Sequence, residues 1–64
     1  MTQKELLYVE DAIKHETNII SILDNTIENL EDEELVSFIE DKEEEHVKIK
    51  DKLLNLLKEK ANEW

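Results

Sequence analysis

The 64-residue sequence predicts an all-α fold, an antiparallel two-helix hairpin that dimerises into a four-helix bundle. Two long apolar series follow helical spacing and are separated by a single acidic break. The chain contains no glycine and no proline, the residues that tight β-hairpin turns require. It also contains no cysteine, so neither a disulfide nor a thiolate zinc site can stabilise so short a chain, and a second copy is the simplest remedy.

The first helix is predicted over about residues 2–30. Thr2 followed three residues later by Glu5 forms a capping-box pattern ahead of the first apolar residue. The positions that follow are spaced alternately by three and four residues, which places them on one stripe of a helix. This stripe consists of Leu6, Val9, Ile13, Glu16, Ile20, Leu23, Ile27 and Leu30. Glu16 is its single charged member.

A turn at about residues 31–32 and a second helix over about 33–62 complete a single hairpin domain of residues 1–64. Asp32 can cap the second helix, because its carboxylate can accept a hydrogen bond from the first turn. The apolar series of this helix is Leu35, Val36, Ile39, Glu43, His46, Ile49, Leu53, Leu56 and Leu57. Among the aromatic residues, Tyr8 and Phe38 are expected to pack in interfaces and Trp64 to anchor the terminus.

Glu16, Glu43 and His46 interrupt the two apolar stripes at one level of the hairpin. Glu43 and His46 are three residues apart and therefore point the same way. With the turn near Glu31, Glu16 lies fifteen residues before it and His46 fifteen residues after it, so antiparallel helices bring the three residues into one interior layer. Since an unpaired buried charge is costly, a metal ion is indicated. Two copies would supply four carboxylates and two imidazoles, whose charge two divalent cations would balance.

A glutamate on one helix and Glu-x-x-His on the next, here Glu16 and the run from Glu43 to His46, resembles the di-iron carboxylate pattern of ferritin-like bundles. The chain resembles half of a ferritin-like or rubrerythrin-like domain over nearly its whole length. It is also similar to the two-helix encapsulated ferritins, which complete their metal site between subunits. It has neither the cysteines of a rubredoxin segment nor a targeting tail after the hairpin, so the resemblance concerns the fold more than one family's activity.

This resemblance implies a site of two iron ions per dimer, with manganese or zinc as alternatives. It implies that Glu16, Glu43 and His46 are both the metal ligands and the catalytic residues. Glu43 would be the bridging ligand and Glu16 a terminal one, since the motif glutamate tends to bridge in this family. The implied reaction is the oxidation of Fe²⁺ by O₂ or peroxide, which makes the protein a candidate ferroxidase or peroxide-reducing oxidoreductase.

Two other interpretations remain open. In one, Glu16 and Glu43 form half-buried pairs with His46 or Lys50 that set the register of a metal-free bundle, and the protein is a coat, adaptor or scaffold component. In the other, the chain stores or buffers metal without turnover. Glutamate occupies thirteen of the 64 positions, so the Glu-x-x-His spacing alone is a weak signal.

The net charge of −10 limits the class of partner. Eighteen acidic residues against eight lysines would repel a phosphate backbone, so no nucleic-acid partner is expected. No apolar run is long enough for a membrane span, and the N-terminus lacks a signal-peptide pattern, so no membrane partner and a cytoplasmic location are expected. The predicted partners are therefore a second copy of the chain and metal ions.

Overall fold

The computed structural model describes residues 1–61, which form two helices, α1 (Gln3–Glu28) and α2 (Glu33–Ala61). The helices pack against each other as a hairpin 48 Å long and 14 by 11 Å across. The predicted helical hairpin is thus confirmed. The predicted end of the second helix at residue 62 and the anchoring role expected of Trp64 lie outside the described residues.

α1 begins with the predicted capping box. The Thr2 hydroxyl accepts a hydrogen bond from the Glu5 backbone N–H at 3.1 Å, and the Glu5 carboxylate accepts one from the Thr2 backbone N–H at 2.8 Å. These bonds satisfy two donors that have no partner within the helix. The hydrogen bonds from the Thr2 backbone and side chain also hold the pKa of Glu5 below its ordinary value.

Residues 29–32 connect the helices without a glycine. The backbone N–H groups of Asn29 and Leu30 each bond to the carbonyl three residues back, at 3.1 and 3.2 Å. Such bonds tighten the last turn of a helix and use carbonyls that would otherwise be unpaired. α1 therefore ends at Glu28, two residues before the apolar spacing ends, although the Leu30 side chain remains half-buried.

α2 begins after Asp32, and the predicted cap is confirmed. The Asp32 carboxylate accepts a hydrogen bond from the Leu35 backbone N–H at 3.0 Å. Glu33 and Glu34 occupy the first turn, while lysines occupy the last turn. Both placements oppose the helix dipole and stabilise the ends of α2.

The two helices meet along half-buried stripes, and no side chain in the described part of the chain is fully buried. All eight positions predicted for the α1 stripe are half-buried. Of the nine positions predicted for α2, six are half-buried, whereas Leu35, Ile49 and Leu56 are exposed. Tyr8 and Phe38, which were expected in interfaces, are also exposed. A hairpin covers only one stripe of each helix, so the remaining apolar side chains can be buried only by packing against a further surface.

α2 carries exposed apolar residues on both sides of the stripe that contacts α1. One side, called the Val47 face, consists of Val47 and Leu54, with the half-buried Glu43 at the edge that this face shares with the stripe. The other side, called the Ile49 face, consists of Phe38, Ile49 and Leu56. Successive members of each face are four, seven or eleven residues apart, close to whole helical turns, and Val47 and Ile49 are about 160° apart around the helix.

Charged residues recur along both helices. Within residues 1–61, neither helix is long and apolar enough to cross a lipid bilayer.

Candidate metal centre

Glu16 on α1 and His46 on α2 meet near the middle of the hairpin. The Glu16 Oε2 atom lies 2.6 Å from His46 Nδ1. Only 16% of the Glu16 side chain and 29% of the His46 side chain remain exposed. The contact joins residues thirty positions apart in the chain. The predicted proximity of Glu16 and His46 is therefore confirmed.

This contact determines where the imidazole carries its hydrogen. A carboxylate oxygen can only accept a hydrogen bond, so Nδ1 of His46 donates to Glu16. In the neutral ring, Nε2 then has the free lone pair. The Glu16 oxygen and Nδ1 of His46 could also bind a cation together if the ring hydrogen moved to Nε2.

Glu43 lies nearly one turn before His46, on the same half-buried stripe of α2. Its Oε2 atom is the one buried side-chain polar atom of residues 1–61 that has no hydrogen-bond partner. A buried oxygen without a donor is costly, and such an atom could accept a hydrogen bond or bind a cation.

Asp24 on α1 is the neighbour of Glu43 across the hairpin. A hydrogen bond between their carboxyl groups, which requires a proton on one of them, raises the pKa of Glu43. Burial raises it further, as do the negative charges of Asp24 and Glu40. The spacing of the apolar stripes does not predict Asp24 as a neighbour of Glu43. One signal was present in the sequence, since Asp24 is the only charged residue between Glu16 and Glu28.

A single chain does not form a complete metal site. Within residues 1–61, no three side chains of histidine, aspartate or glutamate are placed to hold one ion together. The structure brings Glu16 and His46 into contact, and it leaves Glu43 in an adjoining pair with Asp24. The donors nevertheless suit a cation, since they are carboxylate oxygens and an imidazole nitrogen, and one of the oxygens is unpartnered.

The two residues between Glu43 and His46 face away from this centre. Glu44 pairs with Lys48 at 3.7 Å, and Glu45 pairs with Lys42 at 3.5 Å. All these carboxylates and ammonium groups are well exposed, so each pair contributes little to stability. Glu44 is thus a matched control for Glu43, and the exposed His15 is one for His46.

Comparison of the chain with protein-family models, with curated proteins and with solved structures gave no match. The ferritin-like resemblance therefore rests on the hairpin and on Glu16, Glu43 and His46.

Proposed function

We propose that two copies of this chain form a ferritin-like four-helix bundle that binds a pair of divalent metal ions, iron in the first instance, between the copies. The observation that carries the proposal is the Glu16–His46 contact, together with the unpartnered Oε2 atom of Glu43, which lies nearly one turn before His46 on α2. A second copy doubles this half-site to four carboxylates and two imidazoles. It also covers apolar side chains that the single hairpin leaves exposed.

The donor set suits iron or manganese among redox-active metals, and zinc accepts the same ligands. Glu16, Glu43 and His46 of each copy would hold the metal ions, with Glu43 as the bridging ligand. When Glu16 and Nδ1 of His46 both bind a cation, the hydrogen of the neutral ring moves to Nε2, so the imidazole changes tautomer and stays neutral. Asp24 lies beside Glu43 and would orient its carboxylate.

The proposed reaction is the oxidation of Fe²⁺ by O₂ or peroxide. Two Fe²⁺ ions supply two electrons and become two Fe³⁺ ions. With two protons, these electrons reduce O₂ to hydrogen peroxide. If hydrogen peroxide is the oxidant, the two electrons and two protons reduce it to two water molecules. The residues of this chain position the two ions in a half-buried layer. The carboxylates also compensate the positive charge of the bound ions.

Metal content after purification without chelator tests the binding. We expect about one iron or manganese ion per chain in the wild type and a loss of most of it in Glu43→Ala and His46→Ala. The exposed controls Glu44→Ala and His15→Ala should retain wild-type metal content. Equally low metal in the wild type and in all variants would contradict the proposal.

Oxygen consumption after the addition of Fe²⁺ to metal-free protein tests the reaction. We expect uptake faster than that of Fe²⁺ in buffer, with the excess abolished by His46→Ala and retained in His15→Ala. Protein that binds Fe²⁺ without excess uptake would instead be a storage or buffering module.

A metal-free helical interaction protein is the second candidate. The observation that favours it is that Glu16 and His46 already pair with each other in the single chain. Thermal unfolding in EDTA and in Mn²⁺ separates the two candidates. Binding at about 100 times the dissociation constant adds about 2.7 kcal/mol to the stability of the folded state. The metal-free interpretation instead predicts the same melting temperature in EDTA and in Mn²⁺.

A further inference from the structure

We infer that the two copies associate through the Val47 face of α2, with their α2 helices antiparallel about a twofold axis at the level of His46. The inference rests on the dimer of the proposed function and specifies the orientation of that dimer. Three features carry it: the charge distribution along the second half of the chain, the position of the Glu16–His46 contact, and the unpartnered atom of Glu43.

The second half of the chain has two segments of opposite charge. Residues 31–45 contain nine acidic residues and one lysine, whereas residues 46–60 contain five lysines and two acidic residues. Two parallel α2 helices would place one strongly acidic segment against another. Two antiparallel helices place each acidic segment beside the basic segment of the partner. Charge complementarity therefore selects the antiparallel orientation.

The change of sign occurs at the candidate metal centre. It lies between Glu45 and His46, and His46 is the residue that contacts Glu16 on α1. A twofold axis at this level pairs the opposite charges and also brings the two Glu16–His46 contacts to the same level along the helices. A shift of one heptad along α2 would separate the two half-sites by about 10 Å.

Glu43 distinguishes the Val47 face from the Ile49 face. The Glu43 residue, whose buried Oε2 atom lacks a hydrogen-bond partner, lies between the stripe that contacts α1 and the line of Val47 and Leu54. Those two apolar side chains are 39% and 36% exposed in the single chain. A second copy on this face would cover both side chains and would bring the start of its basic segment opposite Glu43.

Single cysteine substitutions test the orientation, because the sequence has no native cysteine. In the proposed dimer, Val47→Cys lies close to the axis and forms a disulfide with its own copy. Leu54→Cys does not, since its two copies would be about 25 Å apart and a disulfide needs Cα atoms within about 7 Å. Val36 lies eighteen residues, or five whole turns, before Leu54 and therefore on the same side of α2, so a mixture of Leu54→Cys and Val36→Cys chains should form the mixed disulfide. Ile49→Cys is the matched control, at a similar level but on the opposite side of α2.

We expect the cross-linked fraction of Val47→Cys to exceed that of Leu54→Cys and Ile49→Cys about tenfold under mild oxidation. Homodimers of Leu54→Cys would show a parallel pair and overturn the inference. Preferential cross-linking of Ile49→Cys, or none in any variant, would overturn it too. Nitroxide labels on Ser37→Cys, an exposed position, give a second measurement that needs no disulfide. The labels should be about 25 Å apart in the antiparallel dimer and much closer in a parallel one.

Mn²⁺ content measured on the same samples separates this inference from the proposed function. The expected cross-links in protein that binds no Mn²⁺ would refute the metal site and support the antiparallel dimer. Bound Mn²⁺ together with Leu54→Cys homodimers would support the metal site and refute the antiparallel dimer.

Discussion

The contact between Glu16 and His46 should hold α1 and α2 together at their midpoint, and its strength can be measured by a double-mutant cycle. A hydrogen bond to a charged group is worth about 1.5–3 kcal/mol. Both side chains are partly exposed, at 16% and 29%, and solvent reduces the value. We therefore expect a coupling free energy of about 1–2 kcal/mol between Glu16→Ala and His46→Ala.

Urea unfolding followed by far-ultraviolet circular dichroism provides the four free energies of the cycle. EDTA removes any contribution from metal, and one protein concentration is used throughout, because the stability of a dimer depends on concentration. The matched cycle uses Glu44→Ala and Lys48→Ala, whose side chains pair at 3.7 Å but are 68% and 70% exposed. Its coupling should be below about 0.5 kcal/mol.

A Glu16–His46 coupling no larger than that of the Glu44–Lys48 pair would refute this reasoning. It would mean that the apolar stripes alone hold the helices together. The single variant His15→Ala removes an exposed imidazole one residue from Glu16, and it should change the free energy of unfolding by less than about 0.5 kcal/mol.

The remaining predictions concern the carboxyl pair and the helix caps. Because the pKa of Glu43 is raised, the folded state binds a proton on this carboxyl group more tightly than the unfolded state does. Protonated Glu43 therefore stabilises the fold below the ordinary glutamate pKa, and this stabilisation is lost as pH rises through the raised pKa. In EDTA, the melting temperature of Glu43→Gln relative to wild type should therefore increase between about pH 4 and about pH 7, and Asp24→Asn should show the same trend. No pH dependence of the difference would contradict the carboxyl pair. Thr2→Ala and Asp32→Ala should each destabilise by about 1 kcal/mol in urea unfolding; an Asp32→Ala protein as stable as wild type would show that this cap is dispensable.

The helix caps and the α1 stripe could be predicted because local sequence determines them. Thr2 with Glu5 supplies both partners of a capping box, and eight residues at alternating spacings of three and four define one side of α1. The last residue of α1 could not be predicted in this way. Apolar spacing follows the burial of side chains, and Leu30 is still half-buried after the backbone has left the helix.

The position of α2 relative to α1 was harder to predict, because α2 is apolar over a wider arc than one neighbour covers. Periodicity alone does not show that Leu53 and Leu57 turn toward α1 while Ile49 and Leu56 turn outward. The level of the polar contact was predictable, since chain distance from the turn fixes it. The pairing of Glu43 with Asp24 was not, because it depends on where two side chains extend across the interface.

The position of the Glu16–His46 contact, halfway along a hairpin 48 Å long, also has a consequence for dynamics. Helices of this kind open from their termini, and the free energy of local opening rises with distance from a fraying end. Backbone amides around Glu16 and His46 should therefore exchange with deuterium more slowly than those near Gln3 or the end of α2. The Glu16–His46 contact would stay formed while the end of the hairpin opposite the turn, where Gln3 and the end of α2 lie, opens and closes.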